Sequence, residues 1–195
     1  RRIMYCHEND AIEGRDIAIL GDDDLTSLAI MIFSSRYGLK IKSLNVFDID
    51  LRILDFVESI SRKLGFEVNL YQIDLKEKLQ ESYKNSYDVI ISDPPYTVAG
   101  LTRFAGVGAE MIKENVGGIA FLSYPNLRPV DNALFFRNIV NFGFSPKELI
   151  PGFNEYVGAQ IHAGKSNMGR FFVSCLDINS SDLPSEGIYT SQRDL

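Results

Sequence analysis

Strand-like runs that end in aspartate constrain the fold of this chain more than any other feature of its sequence. Residues 16–20 lead through Gly21 to three consecutive aspartates, and residues 41–47 lead to Asp48. The runs 66–73 and 87–92 end in the same way, at Asp74 and Asp93. Apolar runs of this kind are typical of strands in a parallel sheet, and segments with helical spacing separate them. The sequence therefore predicts an α/β fold with a mostly parallel sheet and right-handed crossovers.

The spacing of apolar residues predicts helices between these strands. Short helices are expected over residues 1–8 and 75–83, and a longer one begins at Pro129, a residue that suits a first turn. Gly65 would end the second main helix as a C-cap residue. Later strands are expected at 119–122, 147–150 and 171–176. The predicted apolar faces are Leu25, Leu28, Ala29, Ile32 and Phe33; Ile53, Val57, Ile60 and Leu64; Leu101, Phe104, Met111 and Ile112; and Ala133, Phe136 and Val140.

Composition limits the kind of protein that this chain can be. It has 195 residues, of which 45% are hydrophobic, and this is enough for one buried core. The net charge of −6 argues against nucleic acid as a partner and fits a small cationic substrate better. The sequence shows neither an apolar run of membrane-spanning length nor a signal-peptide pattern, which predicts a cytoplasmic protein. Cys6 and Cys175 stand far apart, so neither a disulfide nor a zinc site is expected.

One domain is predicted over residues 1–179, followed by a polar and mobile tail over residues 180–195. The chain begins at Arg1 and Arg2 without a methionine and enters a helical pattern at once. We therefore expect a further N-terminal region to precede it in the complete protein.

The aspartates fall where strands are predicted to end. The carboxyl ends of parallel strands share one edge of the sheet, and ligands of this fold class bind there, where the strand order reverses. Asp48 has the position of the carboxylate that hydrogen-bonds a nucleotide's ribose. Asp74 could accept a hydrogen bond from an adenine amino group, although a carboxylate that points to water fits nearly as well. Asp50 is expected to cap the helix that begins at Leu51.

The three aspartates at positions 22–24 raise the question of what balances their charge. A buried carboxylate costs on the order of several kcal/mol unless it is paired. The aspartates could cap the following helix, where carboxylates suit the free N–H groups and the positive end of the dipole. They could equally bind a cation. Capping needs one acid or two, so both explanations stay open for this turn.

The sequence Asp93-Pro94-Pro95-Tyr96 resembles the Asp/Asn-Pro-Pro-Tyr signature of enzymes that transfer groups from S-adenosylmethionine to an amino nitrogen. An amine that attacks a sulfonium-bound carbon gains positive charge and must lose a proton, so a carboxylate beside the nitrogen stabilises and then removes that charge. The prolines fix the backbone around Asp93. Tyr96 could pack on the methylene chain of the amine or make a cation–π contact, worth up to about 2 kcal/mol.

The acidic turn argues for one donor over another. Ordinary methyltransferases place a glycine-rich turn near the amino-acid end of S-adenosylmethionine, which carries a carboxylate. Two like charges ~4 Å apart at an effective dielectric of about 20 repel by roughly 4 kcal/mol. This corresponds to about a thousandfold in affinity, as an upper value. Decarboxylated S-adenosylmethionine presents an ammonium and a sulfonium instead, and acids would attract both.

Four segments together resemble the branched-chain polyamine synthases, also called N4-bis(aminopropyl)spermidine synthases. They are Gly-Asp-Asp-Asp at 21–24, Phe-Asp-Ile-Asp at 47–50, Ser-Asp-Pro-Pro at 92–95 and Phe-Asn-Glu-Tyr at 153–156. The resemblance covers residues 1–176 and implies a Rossmann-like class I methyltransferase fold, with a mostly parallel seven-stranded sheet and helices on both faces. It also implies aminopropyl transfer from decarboxylated S-adenosylmethionine to a polyamine amine, with release of methylthioadenosine. Members of the family carry a small N-terminal domain before this part.

The resemblance and the chemistry together predict a role for each residue of the site. Asp93 would orient the attacking amine and take its proton, with Asp23 and Asp24 as further catalytic acids. No metal is expected, because a sulfonium is already an activated leaving group and the task is alignment. The donor would be bound by Gly21, Asp22, Asp48, Asp50 and Asp74, and the acceptor by Asp22, Pro94, Tyr96, Glu155 and Tyr156.

Alternatives remain open at this stage. Tyr96 stands where the family usually has glutamate, which leaves the acceptor amine undefined and keeps an S-adenosylmethionine-dependent N-methyltransferase in view. A non-catalytic domain that senses polyamines or nucleosides is a third hypothesis. A homodimer is compatible with the sequence.

Overall fold

The computed structural model describes residues 1–114, 118–155, 164–174 and 183–189. Its centre is a seven-stranded sheet with the order β3-β2-β1-β4-β5-β7-β6. The first five strands are parallel, and β7 runs antiparallel to both of its neighbours. The expected mostly parallel sheet is confirmed. The strands are β1 Asp16–Leu20, β2 Ser43–Asp48, β3 Asn69–Gln72, β4 Val89–Ser92, β5 Gly118–Tyr124, β6 Phe144–Glu155 and β7 Lys165–Val173.

Helices cover both faces of the sheet, as predicted. One apolar core lies between the sheet and α4 and α5, and it includes Leu101, Phe135 and Ile139. The other lies under α1, α2 and α3, and it includes Ile3 and Met31. The helices are α1 Arg2–Glu8, α2 Thr26–Tyr37, α3 Leu51–Leu64, α4 Val98–Met111 and α5 Pro129–Asn141.

The predicted apolar faces of three helices are wrong in part. In α2, Ile32 is about half exposed, while the polar Ser27 and Ser34 are buried. Apolar residues lie on several sides of α2 and α5, so their spacing does not select one face, and the polar residues that start α2 find partners inside the fold. The residues actually buried are Thr26, Ser27, Ile30, Met31 and Ser34 in α2, Leu54, Val57 and Ser61 in α3, and Phe135 and Ile139 in α5.

The last two strands are longer than predicted. The pairing of β6 with β7 shifts register between Pro146 and Glu148 and again between Ile150 and Asn154. Such irregularities break the alternation of buried and exposed residues on which a strand prediction depends. The glycine-rich segment of residues 152–169, which the predicted strand limits leave as a connection, is already strand at residues 152–155 and 165–169.

The helix predicted over residues 75–83 is also wrong, because only the 3₁₀ turn Glu81–Tyr83 forms there. The buried side chain of Arg103, on α4, instead donates to the backbone carbonyls of residues 75–77. Its Nε lies 2.6 Å from the oxygen of Leu75, and its Nη2 lies 2.8 and 2.6 Å from those of Lys76 and Glu77. Carbonyls in a helix accept from backbone N–H groups, but here the carbonyls of residues 75–77 accept from the Arg103 side chain. These residues therefore satisfy their hydrogen bonds without forming a helix.

Replacement of Arg103 by methionine is expected to destabilise the fold. The variant would leave three inward-facing carbonyls without their donors, so the free energy of unfolding should fall by about 1–3 kcal/mol. Thermal melts of Arg103→Met beside Arg137→Met, an exposed arginine of α5, measure the difference. Equal melting temperatures for the two variants would contradict this role.

Residues 183–189 pack against the body of the protein, and we call them the C-terminal strap. Leu183 and Ile188 are buried, and the hydroxyl of Thr97 lies 2.8 and 2.7 Å from the carbonyl oxygens of Gly187 and Ile188. A Cβ on Gly100 would stand 2.6 Å from the latter oxygen, so glycine permits this approach. Residues 183–189 of the predicted polar tail thus lie against α4, and the mobility of the tail stays a prediction.

None of the helices in the described parts of the chain has both the length and the apolar character that crossing a membrane requires.

Candidate active site

The carboxyl ends of β1, β2 and β4 lie level with one another. Leu20 at the end of β1 pairs with Phe47 of β2 on one side and with Ser92 of β4 on the other. The strand order reverses between β1 and β4, so the turns that follow these strands face each other across the switch point of the sheet. This is the edge where the acidic residues were predicted to meet.

The turn after β1 has an unusual backbone. Gly21 has a φ of 70°, which glycine adopts without strain, and its N–H donates to the carbonyl of Phe47. Leu25 has a φ of 56°, a left-handed conformation that costs a non-glycine residue about 1–2 kcal/mol. Two left-handed residues turn the chain tightly enough to place all three aspartates between β1 and α2.

Asp22 is fully buried at the base of this turn. Its carboxylate accepts hydrogen bonds from the backbone N–H of Ser27, at 3.0 Å, and from the hydroxyl of the same residue. Desolvation raises the pKa of Asp22 to about 7, although the bonds from Ser27 oppose the shift; the charges of Asp24 and Asp48 add to it. Both oxygens are engaged with the start of α2, which favours Asp22 as a support of the turn.

The raised pKa of Asp22 makes the stability of the protein depend on pH. Between about pH 4 and 7 the folded protein binds more protons at this carboxyl than the unfolded chain does, so its contribution to stability falls as the pH rises. In Asp22→Asn this titration is absent. We therefore expect the free energy of unfolding of the wild type to fall from pH 4 to 8 relative to that of the variant, by up to ~4 kcal/mol.

Denaturant unfolding across this pH range, with the exposed Asp55→Asn as control, measures the relative slope. Parallel curves for the wild type and Asp22→Asn would show that Asp22 titrates at its ordinary pKa.

Asp48 supports the same turn from β2. One carboxylate oxygen accepts from the N–H of Asp22 at 2.7 Å, and the other accepts from the N–H of Asp50 at 2.8 Å. Asp50 caps α3 as predicted, since its side chain accepts from the N–H of Arg52. The guanidinium of Arg52 also lowers the pKa of Asp50 to about 2.

Asp23 and Asp24 differ sharply in their surroundings. Asp23 is exposed as a residue, yet desolvation of its carboxyl by the surrounding protein, followed by the charges of Asp24, Asp93 and Asp48, raises its pKa to about 6. Asp24 accepts from the N–H of Thr26 at 3.1 Å and forms an ion pair with Arg2. Asp24 thus supports the first turn of α2, whose N-cap position is Leu25, and pairs with a cation of the chain itself. Binding of a substrate cation by the acidic turn stays a prediction.

Arg2, which was not among the predicted site residues, supplies the cation that pairs with Asp24. Its guanidinium lies between the two acidic motifs, paired with Asp24 on one side and 3.1 Å from Asp93 on the other. The balance of charge in the acidic turn predicted a positive partner, but the spacing of residues gave no reason to choose Arg2 among the cations of the chain.

Asp93 follows directly on β4, and its side chain is only 8% exposed. The hydroxyl of Tyr96 donates to one of its oxygens at 2.9 Å, and Arg2 contacts the other. Pro94 and Pro95 separate Asp93 from Tyr96 along the chain. Thr97 follows and caps α4, since its side chain accepts from the N–H of Gly100. The prolines and the cap hold Asp93 and Tyr96 beside the end of β1, opposite the acidic turn.

Asp74 lies on the other side of the crevice. It accepts from the N–H of Lys76 at 2.9 Å and from the hydroxyl of Tyr189, in the C-terminal strap, at 3.2 Å. The ammonium of Lys76 lies 4.5 Å from the centre of the Tyr189 ring. Tyr189 is a second residue near the site that was not among the predicted site residues.

The remaining predicted residues are less central. Glu155 is largely exposed and pairs with Lys165 at 3.1 Å. Tyr156 lies outside the described residues. Within the described ranges, His, Cys, Asp and Glu side chains form no group of three or more arranged to hold a metal ion.

A match to a family model identifies the family of this chain. The model for the branched-chain polyamine synthase A C-terminal domain matches residues 1–178. The chain belongs to this family. Its acidic turn, the Asp-Pro-Pro-Tyr segment and Arg2 all lie within the matched range.

Relatives agree with this assignment. The chain is 39% identical over 190 residues to an uncharacterized protein of Methanocaldococcus jannaschii, covering 97% of this chain and 46% of that one. It is 32% identical over 163 residues to the N(4)-bis(aminopropyl)spermidine synthase of Thermococcus kodakarensis, covering 80% and 44%. The chain thus spans less than half the length of these curated relatives.

Solved structures resemble the whole fold. The branched-chain polyamine synthase of Thermus thermophilus, in complex with N4-aminopropylspermidine and 5'-methylthioadenosine, is 26% identical with a TM-score of 0.79, over 95% of this chain and 58% of that one. An S-adenosylmethionine-dependent methyltransferase of Clostridium acetobutylicum is 11% identical with a TM-score of 0.61, over 89% of each chain. The second likeness concerns the fold alone, and it confirms the class I methyltransferase-like architecture.

Proposed function

We propose that this domain transfers an aminopropyl group from decarboxylated S-adenosylmethionine to an amine of a polyamine and releases methylthioadenosine. The observation that carries the proposal is the pair of acidic motifs on either side of the switch point, joined by the Arg2 guanidinium. The family relationship and the product-bound structure of the Thermus relative support the same chemistry.

The donor fits the β1 and β2 side of the crevice. In this proposal Asp48, at the end of β2, binds the ribose, and Asp74, which accepts a hydrogen bond from Tyr189, binds the adenine. In this proposal the aminopropyl ammonium binds at Asp23, because a positive charge there would relieve its repulsion by Asp24, Asp93 and Asp48. A donor with a carboxylate would add to this repulsion instead.

The acceptor fits the side of Asp93. The lone pair of the acceptor nitrogen attacks the terminal methylene bonded to sulfur, the carbon–sulfur bond breaks, and its electron pair leaves with the neutral thioether. The new ammonium then loses its proton to a carboxylate. We assign this role to Asp93, which Tyr96 and Arg2 hold in place, and Asp23 and Asp24 are the other carboxylates of the proposed site.

A surface groove of about 400 Å³ beside Asp23 suits the rest of a polyamine. Its apolar side chains match methylene segments and Asp23 matches an ammonium group, whereas Asp50 is already paired with Arg52. The groove is lined by Asp23, Leu25, Asp50, Arg52, Ile53 and Phe56.

Methyl transfer to an amine is the second candidate. The observation that favours it is the hydrogen bond from Tyr96 to Asp93, because tyrosine at this place restores the Asp-Pro-Pro-Tyr signature of amino-methyltransferases.

Parallel reactions decide between the two functions. The purified chain is incubated with spermidine and either decarboxylated S-adenosylmethionine or S-adenosylmethionine, and the nucleoside products are separated by chromatography. Methylthioadenosine from the decarboxylated donor supports the proposal, whereas S-adenosylhomocysteine from the other donor supports methyl transfer. Calorimetric binding of either donor without turnover would indicate a sensing domain and would overturn both.

A further inference from the structure

Arg2 is held on four sides at the centre of the candidate site. Its Nε donates to Asn154 Oδ1 at 3.2 Å, and its Nη1 donates to Thr26 Oγ1 at 2.9 Å and to Asp24. Its Nη2 donates to Asp93 Oδ2 at 3.1 Å. The side chain is only 13% exposed, so this guanidinium is part of the interior of the crevice.

The neighbours of Arg2 are themselves fixed. The amide nitrogen of Asn154, on β6, donates to the hydroxyls of Ser123 and Ser166 at 3.0 Å each, and all three residues are buried. Helix α1, which carries Arg2, is anchored by the buried side chains of Ile3 and Cys6. A side chain whose partners lie on β6, on α2 and on the segments that follow β1 and β4 behaves as a resident countercharge, and a substrate would not displace it readily.

We infer that Arg2 is a positioning residue that keeps the acceptor amine at Asp93 in its neutral, nucleophilic form. The inference rests on the proposed function, since it concerns the amine that the reaction alkylates.

The physical argument concerns charge at the attacking nitrogen. An alkylammonium has a pKa near that of lysine, about 10.4, and it cannot attack until it loses its proton. A carboxylate alone would bind the ammonium and hold it in this inert form. Arg2 already pairs with Asp93 and so weakens the attraction between this carboxylate and the ammonium. Its positive charge also lowers the pKa of the nearby amine, by about 1–3 units.

Arg2 also makes the electrostatic environment differ between two parts of the crevice. Asp24 and Asp93 share its charge, whereas Asp23 lies in the field of three other carboxylates and attracts ammonium groups. Charged ends of the substrate would therefore be directed toward Asp23, and the reacting nitrogen toward Asp93. The titratable and charged groups that face this region are Cys6 from α1, Asp22, Asp23 and Asp24 from the turn after β1, Asp48 from β2, and Asp93 and Tyr96 from the segment after β4.

The test compares pH–rate profiles of Arg2→Gln and Arg2→Lys with the wild type. In Arg2→Gln, the limb of kcat that rises with pH should move to higher pH by about 1–3 units, so kcat near pH 7 falls about 10–1000-fold. The KM for spermidine should stay the same or fall, because the ammonium then binds better. Arg2→Lys should restore the position of the limb. Arg1→Gln removes a neighbouring charge whose guanidinium lies over Phe153 and is the matched control.

A measurement on the wild type alone keeps the inference testable if a variant fails to fold. Calorimetric titration of the wild type, saturated with methylthioadenosine, with spermidine at pH 9 in buffers of different ionisation enthalpy counts the protons released on binding. An amine whose pKa falls from about 10.4 by about 1–3 units should release about 0.3–1 proton at this pH, and no release would overturn the inference. An unshifted pH profile in folded Arg2→Gln would overturn it as well. A wild type that releases no methylthioadenosine from its donor would instead refute the proposed function.

Discussion

Asp93→Asn is expected to lower kcat by about 10²–10⁴-fold while the fold remains intact. Asparagine keeps the shape of the side chain and can still accept from Tyr96, but it can neither stabilise the growing charge on the amine nor take its proton. Because Arg2 pairs with Asp93 and also with Asp24, the loss of one partner leaves the guanidinium anchored. Steady-state release of methylthioadenosine, with melting temperature as a measure of folding, tests this expectation.

Asp55→Asn is the matched control, because Asp55 is an exposed residue on the outer side of α3. It makes the same chemical change outside the crevice and should leave kcat unchanged. Turnover by Asp93→Asn within a few-fold of the wild type would mean that another carboxylate takes the proton. Asp23 would then be the next residue to replace.

The parts of the fold that sequence predicted well are those set by local patterns. Strand β1 follows from a local run of apolar residues, and the cap at Asp50 follows from a carboxylate directly before a helix. Both signals involve only residues that are adjacent in the chain. The acids could be placed at one edge because parallel strands share their carboxyl ends. No structural observation was needed for that step.

The parts that sequence did not predict depend on contacts between distant residues. Arg2 contacts Asp93 from 91 positions away, and Tyr189 contacts Asp74 from 115 positions away. Ser27 is buried because it donates hydrogen bonds to the buried carboxylate of Asp22. A hydrophobicity scale does not predict such a burial, since it takes no account of hydrogen-bond partners. In each case a charged or polar group of the site required a partner, and only the folded chain shows which residue provides it.

Asp23→Asn is expected to reduce the preference for the decarboxylated donor. The acidic turn should favour that donor over S-adenosylmethionine by up to about a thousandfold, because one carboxylate would repel another by roughly 4 kcal/mol at ~4 Å. Asp23 is the exposed acid of the turn and lies in the field of Asp24, Asp93 and Asp48. Removal of its charge should lower the ratio of the two affinities by about tenfold or more. Calorimetry at pH 8 with each donor in turn measures this ratio.

The pH dependence of the wild type provides an independent route to the same ratio. The pKa of Asp23 is raised to about 6, so its charge is present at pH 8 and largely lost at pH 5. The wild type at pH 5 should therefore lose donor preference as Asp23→Asn does at pH 8, and the ratio in the variant should change less between these pH values. If Asp23→Asn and the wild type kept the same ratio at pH 8, donor selection would have to reside in Asp24 and Asp93. Both of those carboxylates are already paired with Arg2, so the selection would then depend on a countercharge that the donor has to share.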